Sequence, residues 1–366
     1  MLTGNVGRES TGVNPLRGQN NVQGACDLGA LPNVFPGYQA VEDEGVRRKF
    51  EEGWGASLIG ELGLTVVEMT QAPGEGKIKG LYVMGENPMV SDPDLNHVRE
   101  SLERLEFLVV QDIFMSETAE LADVVLPAAS FAEKDGTFTN TARRVQRVRK
   151  AVPPIGGSKP DWWITCELAR RMGHEMNYGS PSEIMDEIAR LTPIYGGIRY
   201  DRLDAGGLQW PCTDAEHPGT RFLHKDRFSR GRGRFHAVKY KEPAESPDDE
   251  YPLLLTTGRI LEHFHTGTMT RKSEVLNALV PGCLVEMNPV DASRLDLQDG
   301  DSVKVWSRRG EIMADLKITE KSRPGSVFIP FHFAEAAANT LTNPALDPLS
   351  KIPELKVCAV NITKAA

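Results

Sequence analysis

Three stretches decide the fold: Ile78-Lys79-Gly80-Leu81-Tyr82-Val83-Met84, Phe107-Leu108-Val109-Val110 and Ala122-Asp123-Val124-Val125-Leu126-Pro127. Each is a short apolar run with β-branched or aromatic residues, and each ends at a chain-turning signal. Gly85-Glu86-Asn87-Pro88 follows the first, Gln111-Asp112 follows the second, and Pro127 stops the third. Residues 92–105 separate the first two, with Asp and Pro at the start and apolar side chains at Leu95, Val98, Leu102 and Leu105. That spacing predicts a helix. Residues 117–121 predict a short helix before the third strand. Strands alternating with helices in this way imply a parallel α/β sheet. Ligands gather at the carboxyl ends of such strands, so Gly85-Glu86-Asn87 and Gln111-Asp112 are the candidate binding turns.

The rest of the chain bounds what these turns can serve. Its 366 residues suggest two or three domains. With 40% hydrophobic and 25% charged residues, it has the composition of an ordinary globular protein. A net charge of −9 removes the general attraction to a phosphate backbone on which nucleic-acid binders rely. No apolar run reaches the roughly 18 residues of a membrane-spanning helix. The opening Met1-Leu2-Thr3-Gly4-Asn5 has neither the basic nor the apolar region of a signal peptide. Cys26, Cys166, Cys212, Cys283 and Cys358 are too dispersed for a CxxC metal cradle, and their odd number fits a reducing compartment such as the cytoplasm.

Residues 1–40 are rich in Gly, Asn and Pro, a composition of ordered loops that reads like the middle of a protein. Helices are expected over 41–54, 162–171 and 182–191. Residues 196–250 are loop-rich, with a basic stretch from Arg227 to Arg234 and an acidic one from Glu242 to Glu250. Beyond a boundary near 245 come short strand-like runs at 253–257, 283–287, 302–306, 311–316 and 326–330, separated by tight turns such as Asp299-Gly300-Asp301. They predict a small β-barrel. The expected division is therefore 1–40 as a loop segment of a domain completed elsewhere, 41–150 as the α/β domain, 151–245 as a connecting region and 246–366 as the barrel.

The densest polar cluster is Gly12-Val13-Asn14-Pro15-Leu16-Arg17-Gly18-Gln19-Asn20-Asn21-Val22-Gln23-Gly24-Ala25-Cys26-Asp27. It offers a guanidinium, several amides and close backbone approach at Gly. Composition alone favours a self-bonded loop. The cluster nevertheless resembles the signature of the molybdopterin-dependent formate dehydrogenases, a branch of the DMSO-reductase superfamily. The resemblance continues through Tyr82–Pro88, Val109–Met115, Glu133–Asn140 with Arg143-Arg144-Val145-Gln146, Thr257-Gly258-Arg259 with His263 and Thr268-Met269-Thr270, Phe331-His332-Phe333, Asn339, Lys351 and Pro353-Glu354-Leu355-Lys356.

This resemblance implies a Rossmann-like α/β domain followed by a six-stranded double-psi β-barrel. It implies a bis-molybdopterin guanine dinucleotide cofactor with molybdenum or tungsten, and formate oxidised to carbon dioxide. Arg17 would orient the formate carboxylate, for which a fixed guanidinium is suited. Gly18, Gln19, Met84, Gly85, Glu86, Asn87, Gln111, Asp112, Gly136, Thr137, Arg259, His263, Thr268, Phe331, Asn339, Leu355 and Lys356 would hold the cofactor, with Asp112 accepting from a guanine edge. The residues following the cysteines are Asp27, Glu167, Thr213, Leu284 and Ala359, so the family's chalcogen–His pair at the metal is absent. The metal ligand and the iron–sulfur cluster are expected in a missing N-terminal half, with electron-transfer subunits as further partners. The alternatives are a nitrate reductase-like enzyme of the same superfamily, or a cofactor-binding piece that is silent by itself. Asp112 as a helix cap, His263 as a satisfied buried histidine and Phe331 as core are the structural alternatives for those residues.

Overall fold

In the computed structural model, which describes residues 2–365, the strands are Val34–Phe35 (β1), Gln39–Ala40 (β2), Gly80–Met84 (β3), Phe107–Asp112 (β4), Val124–Pro127 (β5), Gly136–Thr139 (β6), Arg144–Val148 (β7), Leu208–Gln209 (β8), Leu253–Gly258 (β9), Leu284–Met287 (β10), Ser302–Trp306 (β11), Glu311–Ile318 (β12), Ser326–Pro330 (β13) and Cys358–Lys364 (β14). They belong to two compact units. One takes the chain up to Leu64 and then Ala128–Lys239; the other takes Thr65–Pro127 and Tyr240 onward. This differs from limits drawn at 40, 150 and 245. The difference arises because β6 and β7 pair in a hairpin that β8 extends, which draws residues 128–150 into the first unit.

In the second unit β3, β4 and β5 form the expected all-parallel sheet. Met84 pairs with Gln111, and Gln111 with Leu126, so the strand carboxyl ends lie side by side. Val83, Leu108, Val110 and Ala119 form its core. The helix expected over 92–105 is Leu95–Leu102, and a separate short helix, Pro88–Ser91, precedes it. Pro93 causes the break, because a residue before proline is driven out of helical geometry. Asp92 is accordingly extended, at φ −84° and ψ 156°. Residues 117–121 supply only a 3₁₀ turn, Ala119–Leu121.

The second unit also holds a closed six-stranded barrel in the order β10-β12-β11-β14-β9-β13, with β13 returning to β10. Its residues alternate as a barrel demands: Ile312, Ala314 and Leu316 of β12 point inward, as do Leu253 and Leu255 of β9. Each fully buried leucine among them contributes about 1.5–3 kcal/mol. The sixth strand, Cys358–Lys364, fills the gap between β11 and β9. Its run is interrupted by Asn361, whose amide donates to the Glu250 carbonyl at 2.9 Å.

Glu245 straps the incoming chain to this barrel. Its oxygens take a two-pronged contact from Arg309 at 2.7 and 3.0 Å, and one also accepts from the Ala359 amide at 2.7 Å. Burial alone would raise its carboxyl, but the Arg309 and Ala359 hydrogen bonds outweigh it and hold the group below its ordinary range. A depressed carboxylate contributes stability that is present above its unfolded pKa and is lost as pH falls through the folded value. Glu245→Ala is expected to cost about 2–3 kcal/mol at pH 7, since Arg309 is left without its partner. In urea titrations the difference between variant and parent should shrink once pH drops below about 4. A gap that stays constant down to pH 3 would contradict this account.

Candidate functional site

Gly85 turns the chain out of β3 with φ +63°, a conformation glycine adopts without strain, and open space lies where a Cβ would point. Its N–H donates to the Gln111 carbonyl at 2.9 Å, which ties the two turns together. Gln111 is buried and accepts from the Tyr82 hydroxyl through its side-chain oxygen. Asp112 accepts from the Ile113 and Phe114 amides at 2.6 and 3.1 Å, a capping turn that fixes its carboxylate at the strand end. Met84 and Glu86 are exposed beside it. Although Glu86 as a whole is exposed, the chain around its carboxyl desolvates it and, with the charges of Asp92 and Asp112, pushes that carboxyl upward.

Asn87 is a strut. Its amide donates to Glu117 at 2.7 Å, and its carbonyl oxygen accepts from the Thr118 hydroxyl at 2.8 Å and the Thr118 amide at 3.2 Å. Glu117, held in this way, lines a cavity of about 230 Å³ with Ser116, Thr268, Arg271 and His332. The loops leaving the barrel therefore meet the segment that follows β4. Thr268 shares a hydroxyl contact of 2.9 Å with Thr266, and Arg271 is paired with Glu335 at 2.8 Å.

A cationic cluster surrounds Phe331. The Arg259 guanidinium lies 5.6 Å from the ring centre and the Lys356 ammonium 5.8 Å. His265 meets the same ring edge-on at 5.6 Å. Lys356 also donates to the Thr257 carbonyl at 2.7 Å, and the Thr257 hydroxyl donates to the Leu355 carbonyl at 2.6 Å, which anchors residues 355–356 on β9. Burial, and then the neighbouring Arg259, lower the pKa of both Lys356 and His265. Arg259 and Lys356, two cations facing the same ring, favour an anion beside them, and His265 there is a neutral imidazole.

In the first unit, Arg17 is on an exposed loop, its Nη2 3.4 Å from the Gln23 side-chain oxygen. Gly18 and Gln19 follow on that loop, Gly18 exposed and Gln19 half-buried. Gly136 opens β6, and Thr137 lines a small cavity of about 180 Å³ with Gly24, Ala25 and Tyr195.

A family model described as Molybdopterin oxidoreductase matches residues 1–171, and one described as Molydopterin dinucleotide binding domain matches residues 253–359. The chain is 58% identical to the F420-dependent formate dehydrogenase subunit alpha of Methanocaldococcus jannaschii over 368 residues, which cover 100% of this chain and 54% of that protein. It is 41% identical to formate dehydrogenase H of Escherichia coli, across 100% of this chain and 52% of that protein. It belongs to the molybdopterin oxidoreductases. Among solved structures, the acetylene hydratase of Pelobacter acetylenicus shares the fold at a TM-score of 0.65 and 20% identity, over 87% of this chain and 50% of that one. The chain spans about half the length of the curated relatives it matches.

Within this molybdopterin oxidoreductase chain the expected residues divide by role. Gly85 and Asp112 stand at the strand-end turns, Thr268 lines the cavity beside Glu117, and Arg259, Phe331 and Lys356 form the cationic cluster. His263 does not present a free donor. It is 3% exposed, its Nε2 donates to the Val280 carbonyl at 2.8 Å, and its Nδ1 lies 3.3 Å from the Thr270 hydroxyl. A carbonyl only accepts, so Nε2 carries the proton and the hydroxyl donates to Nδ1. His263 therefore props the loop on which Thr268 sits. Asn339 spends both amide hydrogens on the Val90 and Ser91 carbonyls, at 2.9 and 3.1 Å, and ties the barrel to the segment after β3. The side chains of Asn87, His263 and Asn339 are thus engaged with other parts of the chain, and the backbone of the Gly85–Asn87 turn is what the sequence offered to a cofactor. His265 received no role from the sequence, and Asp27 appeared there only as the end of a polar loop. No group of three or more His, Cys, Asp or Glu side chains suited to a metal occurs among the described residues. No described helix is long and apolar enough to cross a membrane.

Proposed function

We propose that this chain is the C-terminal portion of a formate dehydrogenase alpha subunit and serves the oxidation of formate to carbon dioxide, one proton and two electrons. One observation carries the reading: over its whole length the chain is 52–58% identical to three F420-dependent formate dehydrogenase alpha subunits. The residues suit a bis-molybdopterin guanine dinucleotide. The open turn at Gly85 gives a pyrophosphate close backbone approach. The Asp112 carboxylate is an acceptor for a guanine edge. In the second unit Arg259 and Lys356 beside Phe331 would meet anionic oxygens, with Thr268 as a further donor; in the first unit, taken by itself, Gly18, Gln19, Gly136 and Thr137 are the candidate contacts. When bound, the molybdenum or tungsten of that cofactor supplies a two-electron acceptor. Arg17 seats the carboxylate and offsets its charge. The metal-ligating residue and an iron–sulfur cluster come from the remainder of the enzyme, and electron-transfer subunits in the cytoplasm take up the electrons.

The assembled enzyme, with this chain joined to its missing half, should reduce a viologen dye with formate. Nitrate reduction in place of formate oxidation would overturn the reading. A residue-level check uses guanosine diphosphate as the probe. Arg259→Ala combined with Lys356→Ala is expected to weaken its binding to this chain at least about tenfold by calorimetry, as loss of charge-assisted contacts predicts. Equal affinity would remove the cluster from cofactor binding.

A further inference from the structure

Asp27 is fully buried, and four side chains converge on it. Gln23 Nε2 and the Tyr38 hydroxyl donate to Oδ1 at 2.8 and 2.7 Å. The Tyr195 hydroxyl and the Trp210 Nε1 donate to Oδ2 at 2.7 and 2.6 Å. The Trp210 group can only donate, and the other three have proton donors aimed inward, so the carboxylate serves as an acceptor throughout. Burial, and also Asp27, push the hydroxyl pKa of Tyr38 and Tyr195 upward, which keeps both protonated. Arg143 lies across the Trp210 ring, 5.3 Å from its centre, and its charge acts on Asp27 from that side.

Gln23 spends its second amide hydrogen on the Tyr38 oxygen at 2.9 Å. Both hydrogens are therefore directed into the cluster, which turns the amide oxygen outward. That oxygen is the group 3.4 Å from Arg17 Nη2. Tyr38 itself sits at φ +60°, a left-handed conformation costing about 1–2 kcal/mol for a bulky residue. Its hydroxyl is docked on Asp27 in spite of that cost. A guanidinium grips a carboxylate well only when its plane is held, because both prongs must meet both oxygens.

We infer that Asp27 and Gln23 are positioning residues for Arg17: the buried carboxylate orients the Gln23 amide, and the amide oxygen holds the guanidinium in the pose that receives the substrate carboxylate. The inference rests on the reading of Arg17 given under Proposed function.

Gln23→Met keeps the side chain's length, removes the amide and leaves Asp27 three donors. In the assembled enzyme it should raise the KM for formate about tenfold, the loss expected for one hydrogen bond to a charged group, with kcat reduced about threefold or less. Combined with Arg17→Lys it should add little to the loss seen for Arg17→Lys alone. A purely structural role would reduce the yield of metal-loaded enzyme and leave KM unchanged. Tyr38→Phe, which frees one hydrogen of the amide, is the second variant and should raise KM about threefold. Labelling of Arg17 by phenylglyoxal, read by peptide mass on the folded chain without any turnover, should become faster in both variants. If Arg17→Lys impairs formate turnover while Gln23→Met and Tyr38→Phe leave KM and labelling unchanged, the positioning inference fails by itself. If Arg17→Lys leaves turnover intact, the reading of Arg17 fails and the inference falls with it.

Discussion

Arg17→Ala in the assembled enzyme is expected to lower kcat/KM for formate by about 10²–10³, with the metal content unchanged. Formate is the smallest carboxylate, so it offers no further group to bind and its orientation depends on the charge and two oxygens alone. A guanidinium supplies parallel donors in one plane and stays charged at any working pH. Arg17→Lys keeps the charge but replaces the fork with a point donor, so it should also lose turnover, by less than Ala does. Added guanidinium chloride at millimolar concentration should restore part of the Ala variant's rate. Steady-state kinetics with a viologen acceptor, beside elemental analysis of the same preparation, checks all three statements. Full turnover in both variants would take Arg17 out of the reaction.

Much of the fold was legible because its strands are local patterns. The runs at 78–84, 107–110 and 122–127 each show their strand in a few consecutive residues, and Gly85 and Asp112 follow directly at the ends. What stayed hidden depends on partners far along the chain. Asp27 meets Tyr195 and Trp210 across separations of 168 and 183 residues, so nothing near it in sequence marks it as buried. Asn339 reaches Val90 across 249 residues, and a side chain so engaged cannot be told from a ligand contact by its type. The helix break at Asp92 was the opposite case. The Asp92-Pro93 pair was visible as a helix start, whereas it acts as an interruption between two shorter helices. For His263, the partner that shows it buried and satisfied within the chain, the Val280 carbonyl, lies 17 residues later.

Asp27→Ala should be the most destabilising single change in the first unit, at about 4–5 kcal/mol. Each buried donor left without an acceptor costs about 1–3 kcal/mol, and four lose theirs together. The sum is discounted because a water can enter so polar a site, and because Tyr195 retains the Thr139 hydroxyl at 3.2 Å as another partner. Arg143 would also lose the charge that offsets its burial. Asp27→Asn should be milder, at about 2–4 kcal/mol, since its one oxygen can still serve Gln23 and Tyr38 but its amide then faces the Trp210 N–H, donor against donor. For a unit of this size the Ala variant should melt about 10 °C or more below the parent. Calorimetry on the chain tests this, and a shift under about 3 °C for Asp27→Ala would mean that the four donors find other acceptors and that the carboxylate is not what holds them. The comparison also separates two roles for the same cluster. Loss of Asp27 removes fold and orientation together, whereas Gln23→Met should spare the fold and disturb only the guanidinium. A pair of variants that divides in this way locates the orienting function in the amide and the structural function in the carboxylate beneath it.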